Sequence, residues 1–302
     1  MTTSIDPRAE VFLSNLQQIQ DRMSTAEQQL SSGLRVSVAS DAPDQISSIL
    51  QLRAQIAGVQ QTQENVSSVT PQVTSGENAI QQAIQVLDTA TALATQAAGS
   101  TSGASQRQDE IPQVKGILQQ LVSLSQTMVN GQYIFSGDLS GQPQYTLAAD
   151  GNSVQPPAVQ AGPPPQIADT NGVMISIGRT AQQVFDAQDG NNDSVFAAVT
   201  GLLTALQSNS STDVQTALGN IQAASAQLND ESSFYGAAQN NLTAAGNAAS
   251  QSLVQLQQQL SNEQDADAAQ AAMDLTTAST DEQAAMSAQA MLKPQNLFSY
   301  LG

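Results

Sequence analysis

A heptad pattern over residues 44–97 constrains the fold of this chain more than any other feature. Steps of alternately three and four residues, starting at Ile49 and reaching Ala94, land on apolar side chains with few polar interruptions. The spacing predicts one helix of roughly 50 residues, which at ~1.5 Å rise per residue spans on the order of 75 Å. A helix of that length exceeds a small globular domain, so we expect partner helices along its whole length.

Two further segments repeat this spacing near the beginning of the chain. Residues 12–30 alternate by four and three and stop at Gly33, a residue that favours a helix end because it takes positive φ without cost. A flexible, polar loop follows the long helix at 99–105. Apolar residues from Ile111 to Met128 then predict a third helix of roughly 20 residues, with Pro112 near its start, where proline is tolerated.

Helical spacing returns after residue 194 and dominates the last third of the chain. It runs from Val195 to Leu206, and then from Val214 through Leu260 to Leu292 without an evident break. The C-terminal third therefore mirrors the N-terminal third. The closing residues 297–302 are apolar, which is unusual in so polar a chain and indicates a partner.

The middle of the chain follows a different pattern. Glycine-bounded runs at 132–137 and 172–178 predict β-strands, 144–147 can form another, and proline-rich segments lie between them. We expect a small β-containing insertion at about 136–193.

The predicted fold is therefore mainly α, a long antiparallel helical bundle or coiled coil formed by the N- and C-terminal segments, with the small β-containing insertion in the middle. Three domains are expected. Residues 1–43 plus 261–302 form a terminal helical assembly domain, 44–135 plus 194–260 an α-helical bundle domain, and 136–193 a β-rich surface insertion.

The composition argues against enzymatic activity and against binding to nucleic acid or to anionic membranes. The 302 residues carry a net charge of −18, with 26 acidic and 8 basic residues, so nucleic acid and anionic membranes are poor partners. There is no His and no Cys, which removes the commonest general base and the thiolate ligands of zinc. We expect no catalytic residue, no cofactor and no metal. No Sec signal peptide precedes the first helix, so export would use another route.

Two acidic clusters are candidate metal sites. The loop Asp189–Asp193 matches the first ligand positions of a calcium loop, but Ser194 stands where the turn needs Gly, and Thr200 where a Glu ligand belongs. Asp265 and Asp267 lie two apart on a predicted helix and so on different faces. We interpret both clusters as solvated surface.

The terminal helices present a different problem. Residues 10–30 and 265–292 form a thin pair that buries little surface alone. We infer that neighbouring copies complete the packing.

Motifs at both ends resemble those of bacterial flagellins and their hook-associated relatives. Gln29 to Val36 followed by Ala39 to Pro43 is similar to the N-terminal signature of that family, and Gln264 to Leu275 to its C-terminal one. The run 132–137 and the closing Leu297 to Leu301 resemble hook-filament junction proteins more than filament flagellins.

The resemblance implies a non-enzymatic structural subunit of the flagellum. It would be exported unfolded through the type III apparatus and would self-associate in a ring or helical layer between hook-associated protein and flagellin, with an export chaperone as a further partner. Subunit-interface residues are predicted at Leu16, Ile19, Met23, Leu30, Arg35, Asp41, Leu275, Met286, Leu292, Leu297, Phe298 and Tyr300. The alternatives are flagellin itself, a secreted coiled-coil adhesin or immune-active ligand, and an enzyme hosted by the insertion.

Overall fold

The structure is a computed structural model that describes residues 7–99, 103–187 and 194–291. Of these residues 71% are helical, which confirms the predicted mainly α class. The described part of the chain forms seven helices: α1 (Pro7–Ser32), α2 (Ile46–Ala98), α3 (Ala104–Ser125), α4 (Ala181–Phe185), α5 (Val195–Gln207), α6 (Ser211–Gln264) and α7 (Ala268–Met291).

Three small antiparallel hairpins lie between α3 and α4. Each has two strands and pairs only with its neighbour in sequence, so the described residues form no larger sheet. The strands are β1 (Met128–Val129), β2 (Gln132–Tyr133), β3 (Thr146–Leu147), β4 (Val154–Gln155), β5 (Gln166–Ala168) and β6 (Met174–Ser176). The β-type runs are therefore present, although their strands are only two or three residues long. The first hairpin already begins before residue 136.

The chain divides into two compact units. Unit 1 comprises residues 1–57 and 253–302, and unit 2 comprises residues 58–252. The helices α2 and α6 each contribute residues to both. The three predicted domain boundaries stay a prediction.

Unit 2 contains most of the buried apolar residues. The predicted seam of α2 is buried at Val73, Ile80 and Leu87, which are fully inaccessible to solvent. Additional residues of α2, such as Ala83 and Ala90, are buried beside the seam, because helices pack against more than one side of α2 here. The buried face is therefore wider than a two-helix seam requires.

Polar pairs show that α2 and α6 run antiparallel in unit 2. The amide of Gln63 donates to Ser250 Oγ over 2.9 Å, and the amide of Gln239 donates to Glu77. As the position along α2 increases, the position of the partner along α6 decreases. The predicted antiparallel arrangement is confirmed.

Aromatic residues attach the hairpin region to the helices of unit 2. Phe135, which follows β2, is fully buried and meets the ring of Phe185 edge-on with centroids 5.5 Å apart. It also meets Tyr235 of α6 at 6.3 Å. These contacts explain why the run after the third helix is rich in aromatic residues.

The sequence pattern was wrong at two places. It continues from α6 into the last helix, whereas the structure ends α6 at Gln264 and starts α7 at Ala268. The break is stabilised by Asp267, whose carboxylate accepts hydrogen bonds from the backbone N–H groups of Ala269 and Gln270. Asp265 and Asp267 are thus not on a continuous helix. Pro112, expected near the start of the third helix, lies eight residues inside it.

Candidate assembly site on the terminal helices

The helices α1 and α7 of unit 1 pack side by side through small residues. Ala26 of α1 and Ala271 and Ala278 of α7 are almost completely buried. Small side chains at these positions allow two helix backbones to approach closely. The predicted interface residues on the same faces, Leu16, Ile19, Met23 and Leu275, are half-buried.

Polar contacts fix the pairing of α1 and α7 at the surface. The guanidinium of Arg22 lies 2.6 Å from a carboxylate oxygen of Asp281. The amide of Gln20 donates to Glu282 over 3.3 Å. Both ion-pair partners are about half exposed, so water screens the charges and the pair contributes at most about 1 kcal/mol. It orients the helices rather than holding them together.

The connector after α1 is joined to the break between α6 and α7. Leu34 and Asp265 form an isolated antiparallel bridge. The backbone N–H of Arg35 donates to the carbonyl of Gln264 over 2.8 Å, and the N–H of Ala266 donates to the carbonyl of Gly33 over 2.9 Å. Gly33 has φ +71°, a left-handed conformation that favours glycine. The two motifs that resemble family signatures thus meet in space.

Arg35 and Asp41, both predicted as interface residues, have partners within the subunit. The guanidinium of Arg35 donates to the side chain of Gln45 over 2.8 Å and to the carbonyl of Glu263 over 2.5 Å. The carboxylate of Asp41 accepts hydrogen bonds from the N–H groups of Val38 and Ser37, which lower the pKa of Asp41. Their direct role is to shape the connector.

A small apolar cluster includes residues of this connector. Val36, Ala42 and Ile49 are buried together, and Leu260 of α6 packs against them. The helix α2 begins only at Ile46, so Asp41 closes a turn that precedes the helix. Residues from both chain ends therefore build this cluster.

The remaining predicted interface residues differ in exposure. The side chain of Met286 is exposed at 57% and that of Leu30 at 38%. Four predicted interface residues lie outside the described residues: Leu292, Leu297, Phe298 and Tyr300. The candidate calcium loop 189–193 also lies outside them.

Sequence reasoning missed further exposed apolar residues in unit 1. Of thirteen large hydrophobic side chains exposed in the described ranges, nine belong to unit 1, although this unit supplies only seven of 47 buried hydrophobic residues. The missed residues are Val11, Leu13, Val38, Leu50, Val254, Met273 and Met291. None of these residues falls on a seam position of the heptad pattern. A large apolar residue outside the seam is the sequence signal that could have identified them.

Two negative findings limit the chemistry of the described residues. Across 7–99, 103–187 and 194–291 there is no cluster of three or more His, Cys, Asp or Glu side chains suited to a metal ion. The helices in those ranges also lack a stretch apolar enough to span a membrane.

Family models match both ends of the chain. The bacterial flagellin N-terminal helical region matches residues 8–139, and the bacterial flagellin C-terminal helical region matches residues 218–301. Together they cover more than two thirds of the chain. The resemblance seen in the terminal motifs is thereby confirmed.

A curated relative and solved structures agree with this result. Flagellin B of Helicobacter pylori is 28% identical over 132 residues, which are 43% of this chain. The match spans only about a quarter of that relative, 26% of its length.

Two solved structures share the fold. A flagellar hook-associated protein of Vibrio parahaemolyticus matches at TM-score 0.64 and 18% identity, covering 74% of this chain and all of that one. Flagellar hook associated protein-3 of Legionella pneumophila matches at TM-score 0.62 and 14% identity, covering 71% and 98%. The family consists of flagellar structural proteins rather than enzymes, and its members assemble with other flagellar subunits. This chain belongs to the bacterial flagellin family.

Proposed function

We propose that this chain is the structural subunit of the hook-filament junction, connecting hook-associated subunits to filament flagellin. The observation that carries the proposal is the surplus of exposed large apolar side chains on unit 1, which buries few residues of its own. Such a surface is stable when neighbouring subunits cover it. The shared fold with hook associated protein-3 and the similar motif at 132–137 favour the junction over the filament.

The proposed partners follow from this role. Copies of the chain associate in a ring or helical layer, with hook-associated protein on one side and flagellin on the other. Before assembly the chain passes unfolded through the type III export apparatus, and an export chaperone holds it. Threading is favoured because the chain contains no Cys to cross-link it.

The interface is proposed to combine the predicted residues with the exposed ones. Met286 and Leu30 contact neighbours directly, together with Met273 and Met291. Leu16, Ile19, Met23 and Leu275 hold α1 and α7 together so that these side chains are presented. Arg35 and Asp41 act on the interface through the shape of the connector.

A charge placed on the exposed face tests the proposal. We expect Met286→Glu to leave the far-UV circular dichroism and melting temperature unchanged, because the side chain is exposed, and to abolish incorporation into flagella. Gln18→Glu adds the same charge at an exposed polar position of α1 and should assemble normally. Normal motility of the Met286→Glu strain would overturn the proposed interface.

Removal of residues 297–302 gives a second test. We expect the truncated chain to fold, because the buried residues of unit 2 form a continuous core of their own, and to fail in assembly. Full motility of the truncated strain would contradict a role for this tail.

Flagellin itself is the second candidate, favoured by the match to Flagellin B of Helicobacter pylori. Immuno-electron microscopy distinguishes the two. Labelling confined to a thin zone between hook and filament supports the junction role. Labelling along the whole filament, or long filaments grown from the purified chain alone, supports flagellin.

A further inference from the structure

A groove on the surface of unit 2 is lined by residues other than those of the proposed assembly face on unit 1. It runs between the β5–β6 hairpin and α6 and has a volume of about 460 Å³. Val173 and Met174 of the hairpin form one wall, and both are more than half exposed. The floor is formed by α6.

The floor of the groove has the spacing of a helix-packing seam. Ala237, Asn241, Ala244 and Ala248 follow one another at intervals of four, three and four residues, and all four are exposed. Small residues at such positions form holes into which large side chains of another helix can insert. The hairpin wall closes one side, so the groove can receive the side chains along one face of a helix.

The groove presents almost no charge. Residues 232–262 of α6 contain no charged side chain, although the chain carries 34 charged residues. Asp169 is the one charged residue in the lining. Its carboxylate accepts hydrogen bonds from the N–H groups of Asn171 and Val173 over 2.8 Å each, so it is engaged by its own turn. An ionic ligand finds no partner here, whereas an uncharged apolar segment does.

The exposed residues of the groove floor are separate from the buried residues of α6. Ala238, Leu242 and Ala245 are buried in the core, although Ala238 and Ala245 also border the groove. The exposed floor and the exposed apolar wall are therefore available for another molecule.

We propose that this groove binds a helix of a second copy of the chain. Two copies with a net charge of −18 each repel wherever their acidic surfaces meet, so contact is favoured where charge is absent. The chain also supplies suitable occupants, since its helices present exposed large apolar side chains such as Leu13, Leu50 and Met273. The large side chains and the groove that would receive them lie on different surfaces of the chain. The contact is therefore heterologous and can be repeated from copy to copy.

The proposal rests on the proposed function in one respect, because it takes the assembling partner to be another copy. It adds a second contact surface, in unit 2.

Photo-crosslinking tests the groove proposal directly. A benzoylphenylalanine residue is placed at Ala244 in the full chain, and a control at Thr243, which is exposed on the same turn but does not line the groove.

Irradiation of assembled subunits should give a covalent dimer from position 244, and mass spectrometry of that dimer should map the partner peptide to a helix of this chain. Position 243 should give at most a tenth of that yield. Equal yields from both positions, or a product at 244 with a different protein, would overturn the proposal.

A charge variant separates this proposal from the assembly role of unit 1. We expect Ala244→Glu to keep the wild-type melting temperature and to weaken self-association at least tenfold, whereas Thr243→Glu associates like wild type. If Ala244→Glu assembles normally while Met286→Glu does not, the groove proposal fails and the proposed function stands. If Ala244→Glu alone blocks assembly, the groove is the contact and the face of unit 1 is not.

Discussion

At the scale of single residues, one glycine decides how closely α2 approaches α6 in unit 2. A Cβ atom at Gly76 would overlap the ring of Tyr235, which is almost completely buried. The hydroxyl of Tyr235 accepts a hydrogen bond from the backbone N–H of Arg179 over 3.1 Å, so the ring has little freedom to move. The absence of a side chain at 76 is therefore required by packing.

This packing predicts opposite effects for two glycine substitutions in the same helix. Gly76→Ala should destabilise the protein by about 1–3 kcal/mol, because it overpacks the core. Gly58→Ala meets no atom within 4 Å and should stabilise by roughly 0.5–1 kcal/mol, through higher helix propensity. Urea denaturation of both variants checks this, and equal effects would show that Tyr235 does not fill the space beside Gly76.

A buried carboxyl gives a pH-dependent prediction. Glu110 of α3 is 2% exposed, and neither of its carboxylate oxygens has a hydrogen-bond partner among the residues that the structure describes. Burial raises the pKa of Glu110, and the nearby charge of Arg107 opposes this. The pKa of Glu110 in the folded protein lies above the ordinary value of 4.5. The stability that the protonated carboxyl contributes is therefore fully present below pH 4.5 and is lost as the pH rises through the folded pKa.

Glu110→Gln should therefore stabilise the protein at pH 7, on the order of 1 kcal/mol, since it removes a buried charge. The gain should disappear below pH 4, where wild type is protonated as well. Asp109→Asn, at the exposed neighbouring position, serves as the control. Thermal melting at both pH values measures the difference, and a gain that is the same at pH 4 would contradict the buried-charge explanation.

Residue-level features were the least predictable from sequence. The heptad spacing identified Val73, Ile80 and Leu87 as core residues because periodicity reports which face is buried. It gave no sign of Gly76 or Glu110, whose environments depend on residues that approach from α6 or lie in other elements. Those environments are tertiary, and a local pattern carries no information about them.

At the scale of elements, one carboxylate caps α7 directly after the break between α6 and α7. Asp267 caps α7 by accepting the N–H groups of Ala269 and Gln270 over 2.9 and 3.1 Å. Helical spacing resumes beyond this point, diluted by Ala and Gln, which is why periodicity predicted one helix. The capping residue was visible in the sequence, but an Asp inside a long periodic segment is ambiguous.

Loss of this cap should weaken the start of α7. We expect Asp267→Ala to destabilise α7 by about 1 kcal/mol and to speed amide exchange at residues 269–275. Asp274→Ala removes an exposed Asp of the same helix that accepts only a side-chain amide, from Gln270, and should leave that exchange unchanged. Equal protection in both variants would mean that the bridge to Leu34, rather than the cap, holds the helix start.

At the scale of the whole molecule, the two units differ in how much they bury. Unit 1 exposes more large apolar side chains than it buries, whereas unit 2 contains a continuous core. Local stability follows buried contact, so exchange of backbone amides should reveal the difference. The mainly α fold, the antiparallel pairing and the position of the hairpins were all predictable, because they depend on period and chain order.

Hydrogen exchange on the isolated protein should be fast in residues 10–32 and 268–291 and slow in 66–98 and 214–249. Assembly should protect the terminal helices, because neighbours then cover their exposed side chains. Slow exchange at both ends of the unassembled chain would mean that unit 1 is stable by itself. In that case the proposed need for neighbours would be withdrawn.

The bridge between Leu34 and Asp265 has a consequence for the order of events during synthesis and delivery. Residues 231 positions apart must both be present before the connector closes and α1 pairs with α7. A chain interrupted anywhere between them leaves α1 without its partner and the connector without its cluster. Only a complete chain can therefore close the connector and pair α1 with α7, so the topology ties the proposed assembly surface of unit 1 to an intact copy.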